Sequence, residues 1–341
     1  MLFIPLFSLR IIQIVTLRYP VFLVLLLAAA IAATLWSLST GSMEIAPGEI
    51  IGALANPDSR HGMVVHELRL PRTVGGFLAG SLLALTGAIL QVLLRNPLAD
   101  PYVLGISGGA SVAALAVIMV GASASLVMGA AAAGAGIATA LVFLLAYGRG
   151  VWSSTRLLLT GVVLASGWGA LISFMLSLSR GQEIHSMLFW LMGDLAGSRP
   201  GPGSLAVLLV GFAVCAFHAR DMNLLSGGEM RAQSLGVAVN RLRITLFLCA
   251  SAFTAAAVVL AGTIGFVGLV VPHMMRLIAG GDHRGLLPAS ALCGGALVVF
   301  ADTLARTVIA PQQPPVGVVT ALIGVPLFLV LLRKTLSAGL S

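Results

Sequence analysis

The sequence predicts an all-α integral membrane protein with about ten transmembrane helices, and three observations lead to this class. Hydrophobic residues make up 59% of the 341 residues and charged residues only 9%, whereas a typical soluble domain is about 25% charged. The apolar residues are grouped in runs close to the roughly 20 residues that one helical membrane crossing needs. The short alternating segments of a membrane β-barrel do not occur.

Ten apolar segments are expected to cross the bilayer and to form a single transmembrane domain over residues 1–341. Their expected ranges are 18–38, 72–94, 103–122, 126–147, 156–178, 202–219, 242–262, 264–279, 286–304 and 316–333. The first resembles a signal peptide, but its apolar run is long and no small-residue cleavage pattern follows, so we expect a retained helix. The eighth begins in a glycine-rich stretch, which leaves the helix boundaries within 262–290 open.

The distribution of basic residues predicts the orientation. With both termini in the cytoplasm, 13 of the 19 Lys and Arg residues lie in cytoplasmic segments and six lie outside. The outer six are Arg60, Arg69, Arg72, Arg180, Arg199 and Arg306. An excess of positive charge on the cytoplasmic side is typical of membrane proteins. It also explains the net charge of +8 without nucleic-acid binding.

Three connections are long enough to carry a function. Residues 39–71 and 179–201 are expected outside, the second with a short interfacial helix around 184–195. The third, 220–241, is expected inside; Gly227-Gly228 interrupts it, Glu229–Leu235 can form about two helical turns, and Gly236 suits a helix C-terminus. Such a short helix would offer a rigid surface to a soluble partner, although an ordinary surface loop is the alternative.

Catalytic and metal-binding motifs are missing from the sequence. It has no Walker A pattern, no His-Glu-x-x-His, no nucleophile elbow and no metal-ligand cluster. The expected spans contain almost no ionisable residues inside, although ion-coupled carriers usually need them there. We therefore expect no enzymatic activity, no cofactor bound by this chain, and an energy source outside it.

Several motifs together resemble the permease family of ABC importers for iron–siderophores, haem and vitamin B12. They are LRLPR and RNPLADP within 68–110, RLLLTGVVL at 156–164, GEMRAQSLGV in 220–241, GFVGLVVPH and DHRGLLP within 261–292, and PPVGVVTALIGVPLFLVLLRK at 314–334. The resemblance covers about residues 40 to 335. It implies the fold of a vitamin B12 permease.

The resemblance also implies roles for individual residues. The coupling helix that docks on the ATPase matches Glu229, Arg231, Ala232, Leu235 and Gly236. The cytoplasmic gate matches Asn96, Leu98, Ser154 and Thr155, and docking of a periplasmic binding protein matches Arg69, Arg72 and Arg306. Trp168 and Met175 are weaker candidates for lining the pathway. From the residues alone, Asn96 could be a helix cap, the arginines surface residues, and Trp168 and Met175 helix packing.

The predicted function is therefore the permease subunit of an ATP-driven importer in the bacterial inner membrane. The resemblance implies a second copy of the chain, two ATPase subunits that bind ATP and Mg, and a periplasmic binding protein as partners. A haem or ferric siderophore is the favoured cargo, with cobalamin as an alternative. A stand-alone secondary carrier and a structural or sensory membrane protein are the rival classes. The second rival would need a soluble domain or tail, which the sequence lacks.

Overall fold

The computed structural model describes residues 19–41, 43, 45–147, 153–308 and 310–339, which form helices and no strand. The all-α prediction is thus confirmed. The helices are α1 (Tyr19–Ser39), α2 (Ile50–Ala55), α3 (Arg60–Leu93), α4 (Ile106–Ile118), α5 (Ala124–Ala146), α6 (Ser154–Leu178), α7 (Gln182–Met192), α8 (Pro202–Phe217), α9 (Ala219–Ser226), α10 (Glu229–Ser234), α11 (Val239–Ala261), α12 (Val267–Ala279), α13 (His283–Thr307) and α14 (Val316–Gly339).

Seven of the described helices are long and apolar enough to cross a membrane: α1, α3, α5, α6, α11, α13 and α14. The pair α8–α9, bent by 59°, makes an eighth candidate, and α4 and α12 are shorter apolar helices of 13 residues each. Each predicted span overlaps one of these helices, while the count of ten crossings and the orientation stay predictions. Residue 18, where the first span was expected to begin, and Arg10 and Arg149, counted for the orientation, lie outside the described residues.

Helix α3 is the centre of the bundle, because nearly all of its residues from Gly75 to Leu93 are buried and it packs against α11, α12 and α13. Its backbone approaches two neighbours at glycines. A Cβ atom on Gly87 would lie 1.7 Å from the Gly268 carbonyl oxygen, and one on Gly80 would lie 2.1 Å from the Gly294 carbonyl oxygen. Small residues permit such close contact between membrane helices.

Helix α3 begins at Arg60, well before residue 72, where the second span is expected to begin. Ser59 caps the first turn by accepting a hydrogen bond from the Gly62 amide at 2.9 Å. A π-helical turn over Val65–Arg69 then leads into the rest of the helix around Pro71, which has no amide hydrogen to donate. Arg69 and Arg72, at this turn, suggested a loop. In the structure, groups within the fold form hydrogen bonds with both guanidinium groups.

The segment 220–241, expected to be a connection with one short helix, is mostly helical. Its first part is α9, which turns Ala219, Met222 and Leu225 into the core, and α11 begins at Val239, three residues before the predicted start. The predicted short helix is present as α10, and the helix expected around 184–195 is present as α7. These short helices lie at opposite ends of the predicted topology.

Candidate functional site

The short helix α10 is held to the bundle by an ion pair. The Arg243 guanidinium, on α11, donates to both carboxylate oxygens of Glu229 at 3.0 and 2.9 Å. The Arg243 side chain is 4% exposed, whereas that of Glu229 is 35% exposed. Ala232, one turn after Glu229, is fully buried. Two of the five predicted coupling residues, Glu229 and Ala232, therefore face the bundle.

The outer face of α10 combines apolar and basic side chains. Met230 is 85% exposed and Leu235 is 57% exposed, and Arg231 is also exposed. Gly236 ends the helix with φ +84°, a conformation that favours glycine. Exposed apolar side chains beside a cation on a short, fixed helix are typical of a protein-docking surface. Met230 was not predicted, although its place in the motif could have suggested it.

The predicted gate residues are brought together at the end of α3. The Asn96 Oδ1 atom accepts a hydrogen bond from the Leu98 amide at 2.9 Å, which shapes the turn and leaves Leu98 exposed. Ser154 Oγ donates to the Leu93 carbonyl at 2.6 Å and so fixes the start of α6 against this turn. Thr155 follows on the exposed side. Their role as a gate stays a prediction.

Two further residues of this turn were missed by sequence reasoning. Asp100 caps the turn Pro101–Leu104 by accepting from the Tyr102 amide at 2.8 Å, and burial raises the pKa of the Asp100 carboxyl to about 6. The Tyr102 hydroxyl donates to the Ile264 carbonyl at 2.9 Å and accepts from the Ile264 amide at 2.6 Å. The turn is therefore tied to the stretch that precedes α12. The Asp-Pro pair, a typical helix start, was the available signal.

At the opposite end, Arg69 points into the fold rather than outward as expected. Its guanidinium donates to the carbonyls of Leu38 at 2.6 Å and Ser39 at 2.9 Å, and also to that of Met43. The side chain is buried, and its hydrogen bonds hold the chain segment after α1 against α3. Its role in docking a binding protein stays a prediction, but this conformation does not present the charge to a partner.

Arg72 and Arg306 share one buried carboxylate, that of Asp302. Arg72 Nε lies 3.0 Å from both Asp302 oxygens, and its Nη2 lies 2.8 Å from Oδ1. Arg306 Nε lies 3.2 Å from Asp302 Oδ2, and Arg306 Nη2 donates to Ser37 Oγ at 2.8 Å. Sequence reasoning missed Asp302, although its position four residues before Arg306 favours an ion pair.

The three predicted docking arginines border one cavity of about 450 Å³. Arg72 also reaches Gln313, whose Oε1 atom accepts from Arg72 Nη1 at 2.9 Å. Gln313 belongs to the proline-rich segment between α13 and α14. Among the described residues, the structure therefore brings the three cations to one cavity, whose lining has no acidic side chain, and two of them share the Asp302 carboxylate.

An apolar cavity of about 840 Å³ lies between α4, α6, α7, α14 and the stretch that precedes α12. Its wall includes Ser107, Ser111, Ile172, Phe266, Leu322 and Val325. The predicted lining residues Trp168 and Met175 are not in this wall. Trp168 packs on Gly108, where a Cβ atom would lie 2.7 Å from the Cβ of Trp168, which supports the helix-packing alternative. Ile172, between the two on α6, is the residue that lines the cavity.

Within the part of the chain that the structure describes, no group of three or more His, Cys, Asp or Glu side chains could hold a metal ion.

Comparison with known proteins places the chain among membrane permeases. A sequence model of the FecCD transport family matches residues 13–334. The cobalamin import system permease protein BtuC of Halobacterium salinarum is 48% identical over 279 residues, which cover 80% of this chain and 73% of that protein. The vitamin B12 import system permease protein BtuC of Salmonella paratyphi A is 38% identical and covers 89% and 92%.

An uncharacterized ABC transporter permease protein of Bacillus subtilis, YvrB, is 39% identical over 292 residues, covering 83% of this chain and 82% of that protein. Among solved structures, an inward-facing conformation of a putative metal-chelate type ABC transporter superimposes with a TM-score of 0.80. It is 30% identical and covers 93% of this chain and 99% of that chain. The PsaBC structure from Streptococcus pneumoniae, 14% identical with a TM-score of 0.55, shares the fold alone.

Proposed function

Because this chain belongs to the FecCD transport family, we propose that it forms the path by which cobalamin crosses the inner membrane. Membership makes it the multi-pass permease subunit of an ABC importer of the vitamin B12 and metal-chelate class. The ATPase is a separate subunit, and the family works with ATPase subunits and a substrate-binding protein. The rival class of a stand-alone carrier is thereby set aside.

The choice of cobalamin departs from the haem or siderophore favoured from the motifs alone. It is supported by the 48% identity to a relative named as a cobalamin permease and by the 38% identity to one named for vitamin B12. The 840 Å³ cavity has an apolar wall with few polar groups. A wall of this kind binds a polar cargo weakly and lets it leave once it is delivered.

The other half of the pathway comes from a second copy of the chain. Support comes from α6 and α14, the two long helices at the cavity, which bury few of their side chains within the chain. Leu171 and Phe174 on α6 and Leu322 and Leu329 on α14 are large, apolar and exposed. A second copy placed against these helices would cover such side chains and enclose the cavity between two equivalent walls.

Energy enters through the outer face of α10, which docks on the ATPase. Met230, Arg231 and Leu235 form the contact, and the ion pair between Glu229 and Arg243 transmits the movement of α10 to α11. The turn around Asn96 and Ser154 lies at the same end and closes the pathway toward the cytoplasm. ATP and Mg bind to the ATPase subunit and not to this chain.

The arginine-bordered cavity at the other end receives the binding protein. Its positive charge would attract carboxylates on the binding protein and fix the orientation of that partner. Arg72 is the best-placed contact, because its Nη1 atom reaches the exposed Gln313 rather than a buried group.

The cargo is tested by uptake into proteoliposomes that contain the permease, its ATPase and its binding protein. Radiolabelled cyanocobalamin, haem and a ferric siderophore are supplied separately, with and without ATP inside the vesicles. We expect ATP-dependent accumulation of cyanocobalamin and no accumulation of the two iron chelates. Uptake of an iron chelate without uptake of cyanocobalamin would reject cobalamin and restore the preference drawn from the motifs.

A further inference from the structure

A cavity separate from the apolar one lies at the end of the bundle that carries α10. It has a volume of about 330 Å³ and is formed where α3 and α12 end and where α13 begins, with α9 at its side. Its wall includes Gln91, Arg95, Pro97, Ser226, Arg276 and His283. Arg95, Pro97 and Ser226 are exposed at the mouth, while Gln91 and His283 are buried at the floor.

The cavity carries two positive charges that form no ion pair among the described residues, and the Asp282 carboxylate beside its wall accepts from Asn223 Nδ2 and from the Arg284 amide instead. Neither the Arg95 nor the Arg276 guanidinium has a hydrogen bond or ion pair among the described residues, and the cavity wall contains no acidic side chain. Among the residues whose side chains the structure does not describe, only Glu44 is acidic, and the predicted topology places it at the opposite end of the bundle. An anion from outside the chain would therefore complete this site.

The floor adds two buried hydrogen-bond acceptors. Asn223 Nδ2 donates to Asp282 Oδ1 at 2.7 Å, so Asn223 Oδ1 faces His283 and accepts from its backbone amide at 2.9 Å. His283 Nδ1, 2.5 Å from the same Oδ1, must then carry the ring proton. His283 Nε2 is left as an acceptor, and it has no partner among the described residues.

Gln91 places a second unpartnered acceptor in the same wall. Its amide nitrogen donates to the Leu269 carbonyl at 3.3 Å, and its Oε1 atom, buried, has no partner in the described part of the chain. Burying a hydrogen-bond acceptor without a donor is unfavourable. The occupant must therefore offer donors to the floor as well as negative charge to the two arginines.

We propose that this cavity binds a glycerol phosphate group. Its phosphate oxygens accept from Arg95 and Arg276, in the charge-assisted geometry that guanidinium groups favour. Its hydroxyl groups donate to His283 Nε2 and Gln91 Oε1. A carboxylate from a partner protein would satisfy the arginines but would leave both floor acceptors without a donor. The cavity volume is about that of ten water molecules, which is enough for this group.

The same chemistry can come from a phosphatidylglycerol headgroup or from a soluble phosphate ester. The cytoplasmic leaflet is rich in anionic lipid, and basic pockets between helices on that side bind such headgroups. The predicted orientation places this cavity on that side, next to α10. The inference goes beyond the proposed function and needs no particular cargo.

The test uses the full-length permease, delipidated in a neutral detergent, without cargo or ATP. Calorimetric titrations with dioctanoyl phosphatidylglycerol and with sn-glycerol 3-phosphate measure binding, and dioctanoyl phosphatidylcholine is the control lipid. Arg95→Gln and Arg276→Gln are each expected to weaken binding about tenfold, through loss of a charge-assisted contact. Arg220→Gln removes an exposed positive charge from α9 outside the cavity and is expected to leave the affinity unchanged.

If both ligands bind and the cavity variants lose that binding, the glycerol phosphate group is sufficient without a lipid tail. If only the lipid binds, the occupant is the phosphatidylglycerol headgroup. Thermal unfolding checks that each variant is folded; Arg95 is exposed, so its replacement leaves the core intact. The proposal is overturned if neither ligand binds, or if both cavity variants bind as wild type does. It is also overturned if the variants impair assembly with the ATPase while wild type shows no ligand binding.

Discussion

The ion pair between Glu229 and Arg243 predicts how firmly the coupling helix α10 is positioned. Two parallel hydrogen bonds of 3.0 and 2.9 Å join a buried guanidinium to a carboxylate that is about one third exposed. Exposed pairs contribute about 0–1 kcal/mol, whereas removing one partner of a buried pair costs about 3–5 kcal/mol. Because solvent screens Glu229, we expect an interaction of about 1–2 kcal/mol, or roughly a five- to thirtyfold effect on ATPase affinity.

A double-mutant cycle measures this interaction directly. Glu229→Gln, Arg243→Gln and the double variant are placed in nanodiscs, and the dissociation constant of the ATPase subunit is measured for each. Each single variant should weaken binding, and the double variant should bind no more weakly than the weaker single variant. If Glu229→Gln weakens binding while Arg243→Gln does not, Glu229 contacts the ATPase itself and the positioning argument fails.

Three further predictions follow from buried groups. Asp302→Asn leaves two guanidinium groups without their shared carboxylate, so we expect a loss of about 3 kcal/mol or more and a lower melting temperature; an unchanged melting temperature would refute this. Gly87→Ala forces a methyl group against the Gly268 carbonyl and should lower the melting temperature, whereas Gly136→Ala, which meets open space, should not. The folded-state pKa of Asp100, about 6, exceeds the ordinary 3.8, so its protonated form favours folding and stability should fall as pH rises from about 4 through 6. Thermal melts across this range should lose that pH-dependent component in Asp100→Asn, which keeps the capping oxygen, and an identical slope in the variant would contradict the assignment.

Local signals in the sequence were sufficient to predict α10. The glycine pair at 227–228 and Gly236 mark its two ends, and the helix found there covers Glu229–Ser234. The partner that fixes it, Arg243, is 14 residues away on another helix, and no local pattern links the two. Sequence reasoning could therefore predict the element but not the orientation of Glu229.

The start of α3 shows the opposite case, in which local signals were misleading. Arg69 and Arg72 suggested a polar connection, because charged residues are unfavourable in a membrane helix. In the structure, carbonyls after α1 bind Arg69, and Asp302, 230 residues along the chain, binds Arg72. Only the tertiary fold brings these partners together, so neither the helix start nor the arginine cluster could be derived from the sequence.

The cavities were the least predictable features. Packing of Trp168 on Gly108 sets which face of α6 lines the apolar cavity. As a result Ile172 lies in the wall, whereas Trp168 and Met175 do not. Helical spacing identifies residues that share a face, but it does not say which face meets another helix.

The central claim, that this permease is driven by an ATPase docked on α10, is tested most directly by Leu235→Asp. Leu235 is 57% exposed, so a negative charge there should weaken the contact between α10 and the ATPase without disturbing the fold. Val120→Asp, at an exposed apolar residue in the turn between α4 and α5, is the matched control. ATP hydrolysis is measured in proteoliposomes with the ATPase and the binding protein. We expect Leu235→Asp to abolish the stimulation of hydrolysis and Val120→Asp to retain it; full stimulation in Leu235→Asp would contradict energy input through α10.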